Sequence, residues 1–370
     1  MKKDAIAVTR YECEKDIGAR KKSLKEELQF VVDVIESSSI PGNSYVCLRN
    51  KVLEGLDRKM VVNGEVGDWK LGDEQFIETF RLPGQINKFD VLQSKYPFAR
   101  DNRIEFFEKD HRYVVDGKID VPRSVTTLVH QFAIPFDADE IIRKMRNGRN
   151  WAIKEKEYTN ADGSVMTDQE IKDKWEKNRV VASSRGTLMH WHIEMFLNGA
   201  KICGPFSTEF EYFLKFYKDF MLPRGLEPVR TELCVFHTGL VCAGQIDFLA
   251  RYIGTDTYVI MDWKRSKEIK ERNFFQNLLP PMHHLEQTNL NTYSLQLNLY
   301  RYIMQTEYDI KVDELYLVVL HEINDKPLVF SVQIMDDDIE RILRHEKEER
   351  NARNPQSGAE AKFRTEHLKI

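Results

Sequence analysis

The sequence predicts an α/β (α+β) protein in which a central mixed β-sheet is flanked by helices. Three apolar runs at 229–236, 241–252 and 258–263 are joined by short polar connections, which favours neighbouring antiparallel strands. Two further apolar runs, 314–320 and 328–334, are predicted to be strands as well. With 42% apolar and 31% charged residues, a chain of 370 residues has enough apolar sequence for a large core.

Capping patterns predict where several helices begin. Ser23-Leu-Lys-Glu26 and Thr167-Asp-Gln-Glu170 are capping boxes, and Ser124 can cap a helix that starts at Val125. The helix that follows Thr167 is expected to run towards Leu197, with a break near Gly186. Further helical patterns lie at 206–220, 293–305 and 336–350.

The composition changes near residue 100 and again near residue 350. Residues 1–100 are predicted to be an accessory region of unknown role, with a hairpin around Asn63-Gly64. Residues 101–350 form the predicted main domain, which opens with a second hairpin around Asp116-Gly117. Residues 351–370 are predicted to be a polar tail.

The chain has the composition of an intracellular protein without a membrane partner. No apolar run approaches the roughly 18 residues that span a bilayer, and the N-terminus lacks the apolar stretch of a signal peptide. The expected compartment is the cytoplasm, or the nucleus or host cell for a eukaryotic or viral protein. Five scattered cysteines without a CxxC pair predict reduced, mostly buried thiols. A net charge of −4 does not exclude nucleic acid, because phosphate binding depends on local basic patches.

Two carboxylates and a lysine stand near the ends of two neighbouring predicted strands. Lys264 follows Asp262 by two residues and therefore points to the same face, and Asp247 lies on the preceding strand. Magnesium prefers such oxygen ligands, and the bound ion can activate water and polarise a phosphoryl group. The lysine can orient the water or stabilise the transition state. The alternative is a surface salt bridge, which is common for Asp-x-Lys.

Two helices carry polar pairs four residues apart. His190 and Glu194 share one helical face and can address one cation, although a hydrogen-bonded pair without metal is the alternative. His192 lies on another face and serves as a comparison. Gln296 and Tyr300 can donate to phosphate oxygens or fix the lysine, but such a pair is commonplace.

The order of these elements resembles a known nuclease family. The chain reads Gly186-Thr-Leu-Met-His190-x-x-x-Glu194, Gly244-Gln-Ile-Asp247, Asp262-Trp-Lys264 and Gln296-x-x-x-Tyr300. This order resembles the RecB-like branch of the PD-(D/E)XK nuclease superfamily, and most of all the mitochondrial genome-maintenance exonucleases and their viral and phage relatives. Those relatives also carry an aromatic hairpin and an SVT segment, as at Tyr113 and Ser124-Val125-Thr126. The resemblance covers residues 103–345 and implies a restriction-endonuclease-like core.

The resemblance also implies roles for individual residues. His190, Asp247, Asp262 and the carbonyl of Trp263 would bind Mg²⁺ or Mn²⁺, Lys264 would be the catalytic lysine, and Gln296 and Tyr300 would organise the phosphate. Glu194 would be an outer or second-metal ligand, and Glu232 is either a helper acid or a surface strand residue. Some relatives hold an iron–sulfur cluster through cysteines near the C-terminus, but no cysteine follows Cys242 here, so no such cluster is expected. The helical histidine makes a toroidal exonuclease like that of bacteriophage lambda less fitting.

Basic residues near aromatic ones suggest where DNA would bind. Between residues 141 and 156, six basic residues, Arg146 and Arg149 among them, accompany Trp151 and a single acid, a combination that suits a single strand with a stacked base. Arg265, Lys267 and Lys270 follow the catalytic strand, and Arg185 precedes the histidine on its helix. A solvated helix face, with Trp151 in the core, is the alternative. His283-His284 is most simply a loop.

The sequence therefore predicts a metal-dependent deoxyribonuclease, preferably an exonuclease on single-stranded ends in replication, repair or recombination. One alternative is a structure-selective or double-strand endonuclease with the same site. Another is a nucleic-acid-binding or assembly subunit without catalysis. A replication or recombination protein is a conceivable partner, and the oligomeric state is left open.

Overall fold

A computed structural model describes residues 59–62, 65–68, 91–107, 110–198 and 207–353. In this part the protein is a mixed α/β structure with a six-stranded mixed sheet between helices. The strands are β1 Lys59–Val62, β2 Glu65–Asp68, β3 Ile104–Phe107, β4 Arg112–Val115, β5 Ile119–Val121, β6 Arg123–Ser124, β7 Leu226–His237, β8 Cys242–Tyr252, β9 Tyr258–Lys264, β10 Val312–Val319 and β11 Leu328–Val332. The α-helices are α1 Val91–Lys95, α2 Val125–His130, α3 Ala138–Arg146, α4 Trp151–Lys154, α5 Asp168–Leu197, α6 Thr208–Phe216, α7 Asn289–Glu307 and α8 Asp336–Arg353.

The central sheet has the order β11-β10-β9-β8-β6, and β7 pairs with the other edge of β8. β7, β8 and β9 form the predicted antiparallel meander. β10 runs parallel to β9 and antiparallel to β11. A crossover is required between the parallel strands β9 and β10, and α7 provides it.

The sheet opens along one edge of β8. β6 pairs there with Cys242 and Ala243, and β9 pairs with residues 248–251. The described pairings place no strand beside residues 244–247 on that edge, so β9 diverges from β8 after Met261. The end of β9 and Asp247 therefore face a gap in the sheet.

Two apolar layers cover the sheet and decide where the β9 side chains point. An aromatic cluster from α6 lies on one face, where Phe213 and Phe216 contact the Trp263 ring edge-on at 5.4 and 5.7 Å. α2, α7 and α8 cover the other face with aliphatic side chains. Because side chains alternate along a strand, Asp262 and Lys264 point away from the aromatic layer, towards α7.

The capping predictions for the main domain are confirmed, whereas the predicted helix break is wrong. Ser124 Oγ accepts a hydrogen bond of 2.9 Å from the Thr127 N–H, and Thr167 and Glu170 form a reciprocal capping box. α5 runs through Gly186 without interruption. A helix tolerates a single glycine at a cost of about 1 kcal/mol, and the buried side chains after Gly186, such as Leu188 and Met189, hold this segment in place.

The hairpin predictions are confirmed with one addition. β1 and β2 pair antiparallel on either side of Asn63-Gly64, and the Asp116-Gly117 turn joins β4 and β5 with positive φ at both residues. The segment 104–121 contains three strands, because β3 also pairs with β4. The helix predicted after Ser23 and residues 354–370 of the predicted tail lie outside the described residues. α8 extends to Arg353, beyond the predicted end.

The described residues bear on the predictions about the cysteines and about membrane-spanning segments. Cys234 and Cys242 are free thiols, and Cys242 is buried; Cys13, Cys47 and Cys203 lie outside the described residues. In the described ranges, none of the helices has both the length and the apolar character needed to cross a membrane.

Candidate metal and catalytic site

Three ligand-type side chains from three elements meet at the gap in the sheet. His190 of α5, Glu232 of β7 and Asp247 of β8 offer ligand atoms that all lie within 4.8 Å of one another. His190 Nδ1 is 3.2 Å from Glu232 Oε1 and 3.9 Å from Asp247 Oδ2. A cluster of one imidazole and two carboxylates, all half-buried, has the donor types that a divalent cation requires.

Glu232 reaches the cluster through an unusual backbone. The register of β7 and β8 places Glu232 opposite Asp247, between the pairs Thr231–Phe248 and Leu233–Ile246. Its φ of 44° lies in the left-handed region, which non-glycine residues rarely adopt within a strand. Such backbone strain costs about 1–3 kcal/mol and concentrates at functional sites.

The backbone of Trp263 fixes two members of the cluster. The Trp263 N–H donates to Asp247 Oδ2 at 2.8 Å, which links β9 to β8 where their ladder has ended. The Trp263 carbonyl lies 3.1 Å from His190 Nε2 and accepts its N–H, so Nδ1 is the nitrogen that faces the carboxylates. In this arrangement the carbonyl orients the histidine, whereas the sequence predicted it as a direct metal ligand.

Asp262 and Lys264 form a second group beside the first. Lys264 Nζ is 2.5 Å from Asp262 Oδ2, and Gln296 Nε2 of α7 donates to Asp262 Oδ1 at 3.1 Å. The Tyr293 ring lies one turn earlier on α7, with its centroid 5.1 Å from Lys264 Nζ. Carboxylate, lysine and amide are thus held together at the end of β9.

Tyr300 packs against the backbone at Gly244. A Cβ at residue 244 would lie 2.8 Å from both Cε1 and the hydroxyl oxygen of Tyr300, which is closer than real contacts allow. Tyr300 is buried and takes a hydrogen bond from the Gln245 backbone. The glycine of the GxxD segment therefore allows α7 to approach β8 closely.

We expect Gly244→Ala to destabilise the fold by about 1–3 kcal/mol, because the buried Tyr300 ring has to move away. Gly186→Ala is the matched control, since its Cβ would meet nothing within 4 Å and an alanine favours the helix by about 0.5–1 kcal/mol. Urea denaturation measures both free energies of unfolding. Equal stability of the two variants would contradict the close approach.

The charges of the site perturb one another. Burial lowers the pKa of His190, but Asp247 and Glu232 more than offset it and raise that pKa to about 9. Burial raises the pKa of Asp262 and of Glu232, and the nearby Asp247 raises both further. Burial also opposes the charge of Lys264, yet the Asp262 and Asp247 carboxylates raise its pKa. The acids therefore repel one another and favour a nearby cation.

The donor set fits Mg²⁺ or Mn²⁺. Carboxylate oxygens are the ligands that Mg²⁺ and Mn²⁺ prefer, and the added imidazole favours Mn²⁺ over Mg²⁺. Thiolates, which an iron–sulfur cluster requires, are not in this group. Among the described residues, the group of ligand atoms contains Glu232 instead of the predicted Glu194, which lies one helical turn beyond His190. Asp262 stands beside this group, engaged with Lys264.

His192 lies on a different face from His190, as predicted. Its side chain is buried and packs against the Phe210 ring at 5.3 Å, and burial lowers its pKa to about 3. Because His192 is buried, His192→Ala would leave a cavity and lower stability. It is therefore a poor control for substitutions in the candidate site.

Some of the basic residues predicted to contact DNA form ion pairs within the protein, and others are exposed to solvent. Arg265 is only 6% exposed and pairs with Glu209 at 2.7 Å, which gives it a structural role and argues against a phosphate contact. Arg185 is also engaged, with Glu322 at 2.5 Å. Lys267, Lys270 and Arg149 are exposed to solvent.

Trp151 and Arg146 belong to a local cluster on α3 and α4. Arg146 pairs with Asp168 at 2.8 Å, and its guanidinium lies 5.2 Å from the centroid of the Trp151 ring. Trp151 in turn stacks on Tyr158 with centroids 6.1 Å apart. These contacts leave the proposed role of Arg146 and Trp151 in DNA binding a prediction.

Two site residues were underestimated from sequence. The sequence left two roles open for Glu232, a helper acid or a surface strand residue. Its position on a strand could not reveal the left-handed backbone that turns its side chain to His190. Tyr293 belongs to none of the sequence motifs, although it precedes Gln296 by three residues and so shares its helical face. That spacing was the available signal.

A comparison with protein-family models finds no match, and a comparison with curated proteins finds none either.

Proposed function

We propose that the protein is a divalent-metal-dependent deoxyribonuclease with a restriction-endonuclease-like core of the PD-(D/E)XK type. One observation carries the proposal: the His190–Glu232–Asp247 cluster adjoins the Asp262–Lys264–Gln296 group at one gap in the sheet. A cluster of metal-ligand type beside a lysine is the combination that hydrolysis of a phosphodiester requires. The proposed order of motifs along the chain supports the same reaction class.

His190, Glu232 and Asp247 would hold the ion, and Asp262 would complete the site from the adjoining strand. The bound ion would activate a water and neutralise charge on the phosphate. Lys264, whose pKa is raised by the acids around it, stays protonated and is suited to stabilise negative charge on the phosphoryl group. The Trp263 carbonyl keeps His190 oriented.

Gln296 and Tyr300 act by positioning. Gln296 Nε2 holds the Asp262 carboxylate through a hydrogen bond of 3.1 Å to Oδ1. Tyr300 packs against Gly244 and thereby holds α7 close to β8. Gln296 also lies within 3.5 Å of the Thr126 hydroxyl, which ties the SVT segment to the site. Displacement of either side chain would therefore change the relation between Asp262 and β8.

An exonuclease on single-stranded ends is the preferred substrate reading, by analogy to the family that the motifs resemble. A structure-selective endonuclease would use the same residues behind a different entrance. A non-catalytic DNA-binding subunit is the third reading, and the complete set of His190, Asp247, Asp262 and Lys264 argues against it.

The decisive test is digestion of end-labelled linear and circular DNA, single- and double-stranded, with Mg²⁺ or Mn²⁺. We expect wild type to degrade linear single strands and Asp247→Ala to be inactive, with Asp256→Ala, an exposed acid between β8 and β9, as the active control. Cleavage of circular DNA would show that the protein is an endonuclease and not an obligate exonuclease. Equal digestion by wild type and Asp247→Ala would refute the site.

We expect Glu232→Gln to weaken Mn²⁺ binding by about tenfold or more, because one charged ligand of the cluster is lost. Calorimetric titration of the full chain measures the affinity. The same change removes the negative charge of the hydrogen-bond acceptor that helps to raise the His190 pKa, so that pKa should fall below about 9 in metal-free protein, as followed by NMR. Glu105→Gln, at an exposed position of β3, should change neither quantity. Unaltered Mn²⁺ affinity in Glu232→Gln would remove Glu232 from the ligand set.

A further inference from the structure

The loop between β9 and α7, residues 265–288, presents two adjacent phenylalanines to solvent. Phe274 is 79% exposed and Phe275 is 92% exposed, the highest values among the large apolar side chains of the described residues. We call this segment the Phe loop. Exposure of adjacent aromatic rings is unfavourable in water, so such a pair marks a surface that binds something.

The base of the Phe loop is firmly attached to the start of α7. The Lys270 N–H donates to Asn289 Oδ1 at 2.7 Å, and Asn289 Nδ2 donates back to the Glu268 carbonyl at 2.9 Å. Asn273 Nδ2 donates to the Gln287 carbonyl at 2.8 Å, and Leu278, three residues after Phe275, is buried. The two phenylalanines are therefore held out on a braced support.

The same helix connects the Phe loop to the candidate site. Asn289 begins α7, and Gln296, which bonds Asp262, follows seven residues later, or about 10 Å along the axis at roughly 1.5 Å per residue. Tyr293 lies between them and faces Lys264. The base of the Phe loop is therefore about two helical turns from Gln296, a separation that a few nucleotides of a strand bound at Lys264 would span.

The charges around the rings favour nucleic acid as the occupant. Lys267 and Lys270 are exposed on the approach from β9, beside the acids Glu268 and Glu271. The Arg272 guanidinium lies 5.0 Å from the centroid of the Phe274 ring; it pairs with Glu286 at 2.9 Å, but its side chain is still 64% exposed and therefore open to a phosphate. Gln276 and Asn277, which follow the rings, are exposed and polar. Cations beside aromatic rings are the combination that binds single strands, with phosphates on the cations and bases on the rings.

We propose that Phe274 and Phe275 stack on unpaired bases of the DNA strand next to the phosphate held at the candidate site. The inference rests on the proposed nuclease function and specifies its substrate as a strand with unpaired bases near the scissile bond. It assigns to the Phe loop a contact that is tolerant of sequence, because every base has a π-face.

Binding is measured by fluorescence anisotropy of labelled single-stranded DNA with the full chain in Mg²⁺, in a Lys264→Met background that prevents cleavage. We expect Phe274→Ala/Phe275→Ala to weaken binding by about tenfold or more, and Phe274→Leu/Phe275→Leu to weaken it comparably, since leucine is apolar but cannot stack. Ile253→Ala removes an equally isolated side chain, 67% exposed, and should leave the affinity unchanged.

An oligonucleotide with abasic positions opposite the Phe loop isolates the contact with bases. Wild type and the double alanine variant should bind it with equal affinity. The proposal is overturned if the alanine variant binds normal DNA as tightly as wild type, if the leucine variant retains wild-type affinity, or if abasic DNA shows the same loss. Binding to phosphatidylserine vesicles that requires Phe274 and Phe275, with DNA affinity unaltered, would replace DNA by a membrane surface.

The binding assay tests the stacking contact and the cleavage assay tests the nuclease activity, so either proposal can be refuted without the other. Cleavage by wild type with unaltered DNA binding by the Phe variants would refute the stacking role and leave the nuclease intact. Weaker DNA binding by the Phe variants, without any cleavage by wild type, would support the Phe loop as a DNA contact and refute the nuclease.

Discussion

Lys264→Met is expected to reduce DNA cleavage by about 10²-fold or more while the protein still binds Mn²⁺. The lysine is the cation closest to Asp262, 2.5 Å away, and it is not a member of the ligand cluster of His190, Glu232 and Asp247. Its removal therefore takes away positive charge at the phosphate without removing a ligand. Single-turnover cleavage and Mn²⁺ titration of the same preparation measure the two quantities.

Loss of stability has to be separated from loss of chemistry in this variant. Asp262 is only 3% exposed at its side chain, so removal of Lys264 leaves a buried carboxylate without its counter-ion. Asp262→Asn/Lys264→Met replaces both charges, and we expect it to recover stability but not cleavage. Lys118→Met, at an exposed turn, should behave like wild type. Cleavage by Lys264→Met at the wild-type rate would show that the lysine is not catalytic.

The strands and helix starts of the main domain could be predicted because their signals are local. Ser124 and Thr167 cap their helices through side chains only three residues from their partners, and the β7–β8–β9 meander follows from short connections between apolar runs. The predicted break at Gly186 was wrong because the buried side chains that follow the glycine, from Leu188 onward, hold the helix in place. The third strand of the 104–121 segment was missed because the residues before β4, 108–111, contain no Gly, Pro or Asn to mark a second turn.

The site could be predicted in part for the same physical reason. Asp262 and Lys264 share a face of one strand, so alternation places them together, and His190 and Gln296 were found by their order along the chain. Glu232 depends on a left-handed backbone, and Arg265 depends on Glu209, 56 residues earlier. Contacts of that kind arise from the packing of distant elements, which no local pattern records.

Arg265→Met is expected to destabilise the fold by about 3–5 kcal/mol, the usual cost of leaving a buried charge unpaired. Arg265 and Glu209 have side chains only 6% and 1% exposed, and their charged atoms are 2.7 Å apart. Urea denaturation gives the free energy of unfolding. Arg179→Met is the matched control, because Arg179 and Glu176 form an exposed pair, 68% and 58% accessible, whose loss should leave the free energy of unfolding nearly unchanged.

A second variant decides whether Arg265 supports the fold or binds DNA. Arg265→Met/Glu209→Met removes both charges, and apolar side chains of similar volume can replace a buried pair at little cost, so we expect most of the stability to return. If the arginine is structural, this double variant also keeps wild-type affinity for single-stranded DNA and an unaltered salt dependence. A phosphate contact would instead lower the affinity and reduce the salt slope by about one. Because Arg265 directly follows Lys264, the first result would mean that a buried ion pair anchors the end of β9 and thereby positions the lysine of the proposed active site.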